Sequence, residues 1–262
     1  MDPVRSGKRT PTQLRPVKIS IDTLDFADGS ALIEWGRTRV LAAATIDERV
    51  PQFLKGTGRG WVTAEYAMLP RATVERTPRE RTAGRVSGRT QEIQRLVGRA
   101  LRAVTDLKAL GERQIIIDCD VLQADGGTRS ASVTAGCVAL GLALKKMIDE
   151  GKIDHMPLRH LVAGVSVGIV RGRALVDLDY AEDSQADLDM NIIETDRGEL
   201  VEVQAGAEKN PFSRKELLGL LRMADRGIAR VIKLQKETLK KKSILFMAYG
   251  YKDKPVPEKG TG

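Results

Sequence analysis

The chain is poor in the side chains that most often carry acid–base and thiol chemistry: 262 residues contain two histidines and two cysteines. Scarce histidine argues against imidazole catalysis, because no other side chain titrates near neutrality without perturbation. Cys119 falls in the apolar run 115–122 and Cys137 in a small-residue helical stretch, so both read as buried small hydrophobes. Long hydrophobic runs are also missing. No apolar stretch approaches the roughly 18 residues needed to span a bilayer, and residues 1–16 are basic and polar without the apolar segment of a secretory signal. The expectation is a cytoplasmic protein with no membrane partner.

What is present is ordinary for a globular chain, 42% apolar and 30% charged, with no compositional case for wholesale disorder. The length suits one sizeable core or two smaller ones. A formal charge of +8 and a pI near 9.5 point to a polyanionic partner or to a merely soluble basic surface. The distribution of the charge has to decide.

Residues 31–35 and 38–45 flank Gly36-Arg37 as two strands around a tight turn. The stretch 52–88, rich in Gly, Pro, Thr and Arg, reads as long loops. From Thr90 the apolar residues Ile93, Leu96, Val97, Ala100, Leu101 and Val104 recur at helical spacing, leaving Arg95, Arg99 and Arg102 off the stripe. Residues 114–122 are strand-like, 123–127 a turn, and 129–148 a buried helix. Strand pairs follow at 161–170 with 174–178, and at 190–195 with 200–204. Ser213-Arg-Lys-Glu216 is a capping box opening a long amphipathic helix. The order of strands and then helix recurs, so the expected fold class is α+β, in two halves split within 151–157. Residues 1–150 form the first, 151–240 the second, and 241–262 a basic, partly disordered tail.

Three constellations could carry chemistry. In Gln123-Ala-Asp-Gly-Gly-Thr-Arg129 a strand delivers two glycines to a helix N-terminus, whose N–H groups suit an anion. Gly126 and Gly127 permit close backbone approach, Thr128 can cap the helix and donate its hydroxyl, and Arg129 adds a cationic fork. Arg89, just before the first amphipathic helix, could reach the same anion; the plainer alternative is an ordinary glycine turn with a solvated loop arginine. The segment 177–189 concentrates Asp177, Asp179, Glu182, Asp183, Asp187 and Asp189 between strand pairs. Crowded carboxylates suit Mg²⁺ or an acid with a raised pKa, unless they are a solvated loop. The run Arg71, Arg76, Arg79, Arg81 and Arg85 has only Glu75 and Glu80 interspersed and can track a nucleic-acid backbone. Trp61 and Tyr66 before it suit base stacking or, more conservatively, a core. Gly164-Val-Ser-Val-Gly168 mimics a hydrolase elbow but sits within a strand pattern with no helix after it, and Lys55-Gly-Thr-Gly-Arg-Gly60 lacks the ending of a P-loop.

Taken together, Gly60-Trp-Val-Thr-Ala-Glu-Tyr66, Met68-Leu-Pro-Arg71, Gly88-Arg-Thr-Gln-Glu-Ile-Gln-Arg95, Asp118-Cys-Asp-Val-Leu-Gln-Ala-Asp-Gly-Gly-Thr-Arg129 and Glu182-Asp-Ser184 resemble the ribonuclease PH family. The likeness runs from the N-terminal arm to about residue 239. It implies a ribosomal-protein-S5-like two-layer α/β fold, a homohexameric ring built as a trimer of dimers, and tRNA nucleotidyltransferase activity. That activity trims 3′ extensions of transfer RNA precursors and other RNAs with inorganic phosphate as co-substrate. By matching positions, the resemblance assigns phosphate to Arg89, Gly127, Thr128 and Arg129, catalysis and Mg²⁺ to Asp183 and Asp189, and RNA to Arg71, Arg76 and Arg79. Ala205-Gly-Ala-Glu-Lys209 departs from the family's usual Gly-Thr-Ala-Glu-Gly, a matter of local turn geometry. The rival readings are a phosphate-independent, metal-dependent exonuclease and a non-catalytic RNA-binding ring subunit.

Overall fold

The computed structural model describes residues 5–80, 82 and 84–244. The expected basic tail therefore lies, from residue 245 onward, outside the described residues.

Five strands make the first sheet: β1 (Val17–Ile21), β2 (Gly29–Trp35), β3 (Thr38–Asp47), β4 (Trp61–Met68) and β5 (Gln114–Gln123), in the order β1-β2-β3-β5-β4. Neighbours are antiparallel except β4 and β5, which pair in parallel from Trp61↔Gln114 to Met68↔Val121. A parallel pair needs a crossover. Here it is supplied by α1 (Gly88–Ala103) and the one-turn α2 (Leu107–Leu110). The second sheet, β6 (Val162–Val170), β7 (Arg173–Val176), β8 (Leu188–Thr195) and β9 (Leu200–Ala207), is antiparallel in the order β7-β6-β8-β9. The remaining α-helices among the described residues are α3 (Thr128–Asp149), the one-turn α4 (Tyr180–Asp183) and α5 (Arg214–Lys240).

The α+β class expected from the sequence is the one observed, but α3 does not serve one half alone. It packs against β2 and β3 of the first sheet and against β6 of the second, and every residue from 130 to 144 is buried. Small side chains make this possible. Ala131, Ala135, Gly136, Ala139 and Ala143 let strands approach the helix backbone so closely that a Cβ on Gly29 of β2 would lie 2.4 Å from the Ala139 carbonyl oxygen. α5 covers the other face of the second sheet, and one continuous apolar core runs through all these layers. Gln235 of α5 pins the arrangement: its buried Nε2 donates to the carbonyls of Thr134 in α3 (3.0 Å) and Val162 in β6 (3.1 Å).

Three expectations need correction. The stretch 52–88 is not loop throughout, because β4 lies inside it, with Val62, Ala64 and Tyr66 alternately buried. An edge strand whose partner is reached only through a crossover has no hairpin turn to announce it. The sequence reading also assigns no element between residue 16 and residue 31, where β1 forms with Val17, Ile19 and Ile21 alternating. Finally, α3 is long and apolar enough by length and composition to cross a membrane, with a mean hydropathy of 1.4. Its burial between two sheets accounts for that composition. Both cysteines are buried and free, and burial pushes each thiol up to about 12.

Glu194 of β8 is 2% exposed, its Oε1 has no hydrogen-bond partner among the described residues, and it lies against Asp225 of α5. Burial first, then the neighbouring carboxyl, pushes it up to about 8. A carboxyl raised on folding stabilises fully below its unfolded value and loses that contribution as pH rises towards its folded value. Glu194→Gln is therefore expected to reduce the fall in Tm between pH 5 and pH 8 in thermal melts; an unchanged pH dependence counts against a protonated Glu194.

Candidate active site

β5 leads through a tight turn into α3, and the glycines there are required. Gly126 has φ 79°, and a Cβ on it would lie 2.6 Å from the Leu178 carbonyl oxygen, so any side chain would collide with the connection between β7 and α4. Gly127, at φ 70°, is the N-cap of α3 and offers no side-chain acceptor to the first turn. Thr128 is thus not the cap, contrary to the sequence reading. It is the first helical residue, buried, and its Oγ1 accepts from the Tyr66 hydroxyl at 2.9 Å. The first N–H groups of α3 are left without a side-chain cap, the condition under which a helix N-terminus takes an anion.

Two arginines stand at this N-terminus. Arg129 is in the first turn of α3; its Nη1 donates to Gln204 Oε1 of β9 at 2.8 Å and lies 3.6 Å from Glu92. Arg89 is exposed in the first turn of α1, which Ser87 caps by accepting from the Thr90 N–H. Both guanidinium groups act on the Tyr66 hydroxyl and on the Asp183 carboxyl, and both favour ionisation of each. The structure therefore brings Arg89, Thr128 and Arg129 together with Asp183. Beside them, α1 and β9 flank an open cleft of about 340 Å³ lined by Arg95, Arg99, Glu202 and Gln204 among others.

The acidic segment is mostly spoken for. Asp177 pairs with Arg15 (2.6 Å) and Arg9 (3.5 Å), Asp179 with Arg9 (3.5 Å), Glu182 with Arg5 (2.6 Å) and Arg9 (3.2 Å), and Asp187 with Lys209 (2.7 Å). Asp179 and Glu182 also form a capping box on α4. Only Asp183, at the end of α4, and Asp189, in β8, have no ion pair among the described residues. Asp183 reaches solvent from a recess dense with protein atoms. Desolvation there, then the Asp189 charge, raises its carboxyl above the ordinary range, while Arg89 and Arg129 pull it down. Two carboxylates repelling one another beside solvent fit a hard divalent cation; Mg²⁺ takes one or two carboxylates and completes its shell with water and substrate phosphate oxygens.

The residues assigned to RNA come from a different segment. Arg71, Arg76 and Arg79 are exposed on the loop between β4 and α1, which is tied to the turn before α3 by the Ala124 N–H donating to the Ala72 carbonyl (2.8 Å), and to α1 by Thr90 Oγ1 donating to Glu80 (2.7 Å). Arg71 Nη1 donates to the Val74 carbonyl at 2.8 Å, whereas Arg76 and Arg79 make no ion pair among the described residues. Tyr66 is core. Trp61 stacks edge-on with Phe53 at 5.4 Å under the Arg102 guanidinium, so neither aromatic is offered to a base. Gly164-Val-Ser-Val-Gly168 lies within β6, and Ser166 Oγ accepts from the Leu178 N–H, which disposes of the hydrolase elbow. The divergent residues 205–209 end β9 and carry Lys209 to Asp187.

Models of the 3′ exoribonuclease family match this sequence in both parts, domain 1 over residues 13–145 and domain 2 over residues 160–227. The chain belongs to this family. Its site therefore spans both family domains, with Arg89 and residues 126–129 from the first and Asp183 and Asp189 from the second. Among solved structures, rice (Oryza sativa) Rrp46 is similar at 20% identity with a TM-score of 0.72, covering 90% of this chain and 100% of that one. An archaeal exosome core is similar at 23% and 0.70, covering 91% of this chain and 92% of that one. The Archaeoglobus fulgidus exosome with RNA bound to the active site is similar at 22% and 0.72, with coverages of 92% and 93%. At these identities the likeness is one of fold.

Sequence reasoning missed Arg15 and Gln204, which hold the turn and Arg129. Neither sits in a local motif; the one available signal was more carboxylates in 177–189 than one cation needs.

Because the Asp183 carboxyl is raised on folding, its contribution to stability falls as pH rises from its unfolded value towards its folded one, leaving a net cost at neutral pH. Without divalent cation, Asp183→Asn is expected to raise Tm slightly at pH 7, solvent screening keeping the gain small, with the gain vanishing at acid pH where the carboxyl is protonated in both states. A lower Tm at pH 7 would show that Asp183 supports the fold.

Proposed function

We propose that this protein is a phosphorolytic 3′-to-5′ exoribonuclease, of the tRNA nucleotidyltransferase kind, that trims 3′ extensions of tRNA precursors and other RNAs and releases nucleoside 5′-diphosphates. Family membership supports an exoribonuclease. The observation that carries phosphorolysis is the uncapped N-terminus of α3, flanked by Arg89 and Arg129, set against the two carboxylates of the acidic segment that have no ion pair among the described residues. A hydrolytic enzyme needs the carboxylates but has no use for a second anion site.

In this reading, inorganic phosphate is held by Arg89, Arg129, the Thr128 hydroxyl and the N–H groups at the start of α3. One phosphate oxygen attacks the phosphorus of the terminal phosphodiester in line. The new P–O–P linkage leaves as nucleoside diphosphate, and the 3′ oxygen of the shortened RNA takes up a proton. Asp183 and Asp189 would hold Mg²⁺, which supplies charge neutralisation at the phosphoryl oxygens. One phosphoryl bond is exchanged for another, so the reaction is near balance and excess nucleoside diphosphate drives 3′ extension. A homohexameric ring, a trimer of dimers, is the assembly proposed with it. A non-catalytic ring subunit is the weaker reading, because Arg89, Arg129, Asp183 and Asp189 are all retained.

Omission of phosphate tests the proposal. With a 3′-extended RNA and Mg²⁺, nucleoside diphosphates are expected with phosphate and negligible trimming without it. Nucleoside monophosphates formed at the same rate in its absence would establish hydrolysis; no trimming under either condition would favour the non-catalytic subunit.

The exposed loop gives a second expectation. Arg76→Ala combined with Arg79→Ala should weaken binding of structured RNA and flatten the slope of log K against log salt by about one to two, since each lost phosphate contact removes part of the counterion-release contribution. Cleavage of a short unstructured oligonucleotide should suffer less, and equal losses on both substrates would move these arginines into the catalytic centre.

A further inference from the structure

Arg15 spans the two sides of the site. Its Nε and Nη2 donate to the Asp177 carboxylate at 3.1 and 2.6 Å, and its backbone N–H donates to the same group at 2.6 Å. The other edge of the fork is turned to the phosphate turn, where Nη1 donates to the Asp125 carbonyl and Nη2 to the Gly126 carbonyl at 3.4 Å. Thr38 Oγ1 adds a second donor to the Gly126 carbonyl at 2.7 Å and accepts from the Asp125 N–H at 2.9 Å. In a trans peptide the C=O and N–H point in opposite directions. Carbonyls 125 and 126 drawn towards Arg15 therefore turn the N–H groups of Gly126 and Gly127 away from it, free to join those at the start of α3.

Asp177 is equally constrained. It is 1% exposed, holds φ at 58°, and donates its N–H to the Ser166 carbonyl at 2.6 Å. Two residues on, Asp179 caps α4, which ends at Asp183. A shift of Asp177 is thus carried through one helical turn to the carboxylate opposite the phosphate site.

We propose that Arg15 is a positioning residue for the reaction: by bridging Asp177 and the carbonyls of residues 125 and 126, it fixes the distance between the phosphate turn and the Asp183–Asp189 carboxylates. The inference rests on the phosphorolytic reading above. It differs from an ordinary buried ion pair in what it demands of the side chain. A lysine could neutralise Asp177 but, as a point charge on a flexible stem, cannot hold the carboxylate and two carbonyls in one plane.

The test compares Arg15→Lys with the parent and with Gln235→Leu, which breaks the buried bridge between α5, α3 and β6 and serves as a destabilised control away from the site. All three are assayed at equal distance below their own Tm, reading nucleoside diphosphate release against phosphate concentration, and RNA affinity by filter binding. Arg15→Lys is expected to lower kcat about 10²-fold, the scale of a misplacement near 1 Å, and to raise the KM for phosphate, with RNA Kd within about twofold of the parent. Gln235→Leu is expected to keep the parent kcat and KM. Should Arg15→Lys not fold, Asp177→Asn carries the same comparison, since it removes the charge on which Arg15 is anchored. An active parent with kcat and KM for phosphate unchanged in Arg15→Lys, or reduced no more than in Gln235→Leu, overturns the positioning role alone. A parent that releases no nucleoside diphosphate overturns the phosphorolytic reading itself.

Discussion

The burial of α3 on two sides at once is the constraint from which the rest of the architecture follows. A helix enclosed by two sheets cannot carry a polar stripe, and it must be slim enough for strand backbone to touch it. Hence the alanines and glycines between residues 131 and 143, and hence the glycine at position 29, where a methyl group would meet the Ala139 carbonyl. The same enclosure fixes where the helix begins. Its N-terminus emerges at the junction of the two sheets, with β5 delivering it from one side and the β7–α4 connection at Leu178 pressed against Gly126 from the other. The partial positive charge there meets no side-chain cap and is reinforced by Arg89 and Arg129.

Charge pairing explains what apolar burial does not. The N-terminal arm is fastened to the C-terminal half by Arg5, Arg9 and Arg15, which between them take up Asp177, Asp179 and Glu182. Arg15 and Asp177 are almost wholly enclosed, and removing one partner of such a pair strands the other, at a cost of roughly 3–5 kcal/mol. These arginines are therefore unavailable to a polyanion, although the sequence places them in a basic arm. Arg76 and Arg79, by contrast, are exposed and make no ion pair among the described residues, and a net charge of +8 would have located neither group.

The elements legible in advance were those that announce themselves locally. The hairpin around Gly36-Arg37, α1 with its apolar stripe, the glycine turn before α3 and the capping box at Ser213 all appear within two or three residues of their expected bounds. β4 was hidden because its ladder partner lies some fifty residues downstream across a crossover, and β1 because a strand beside a known hairpin lacks its own turn signal. At the site, the turn and the acidic segment were both recognisable, and their meeting rests on tertiary packing. What no local pattern could divide was the acidic segment itself: four of its six carboxylates answer to Arg5, Arg9, Arg15 and Lys209, whose positions relative to it exist only in the fold.

On the phosphorolytic reading, this division of labour is a physical necessity. The enzyme must seat a phosphate dianion against the phosphodiester of a polyanion, so cationic groups have to surround the attacking phosphate while a metal-binding acidic pair faces the same phosphorus. If both sets grew from one loop, the arginines and carboxylates would pair with each other and cancel. Here the cations come from α1 and α3, packed on the first sheet, while the carboxylates come from α4 and β8 of the second. Asp183 feels Arg89 and Arg129 without forming an ion pair with either. Opposite charges this close would draw together into ion pairs unless the elements bearing them are held rigidly, and a helix buried against both sheets, with Arg15 braced across the gap, is what holds them.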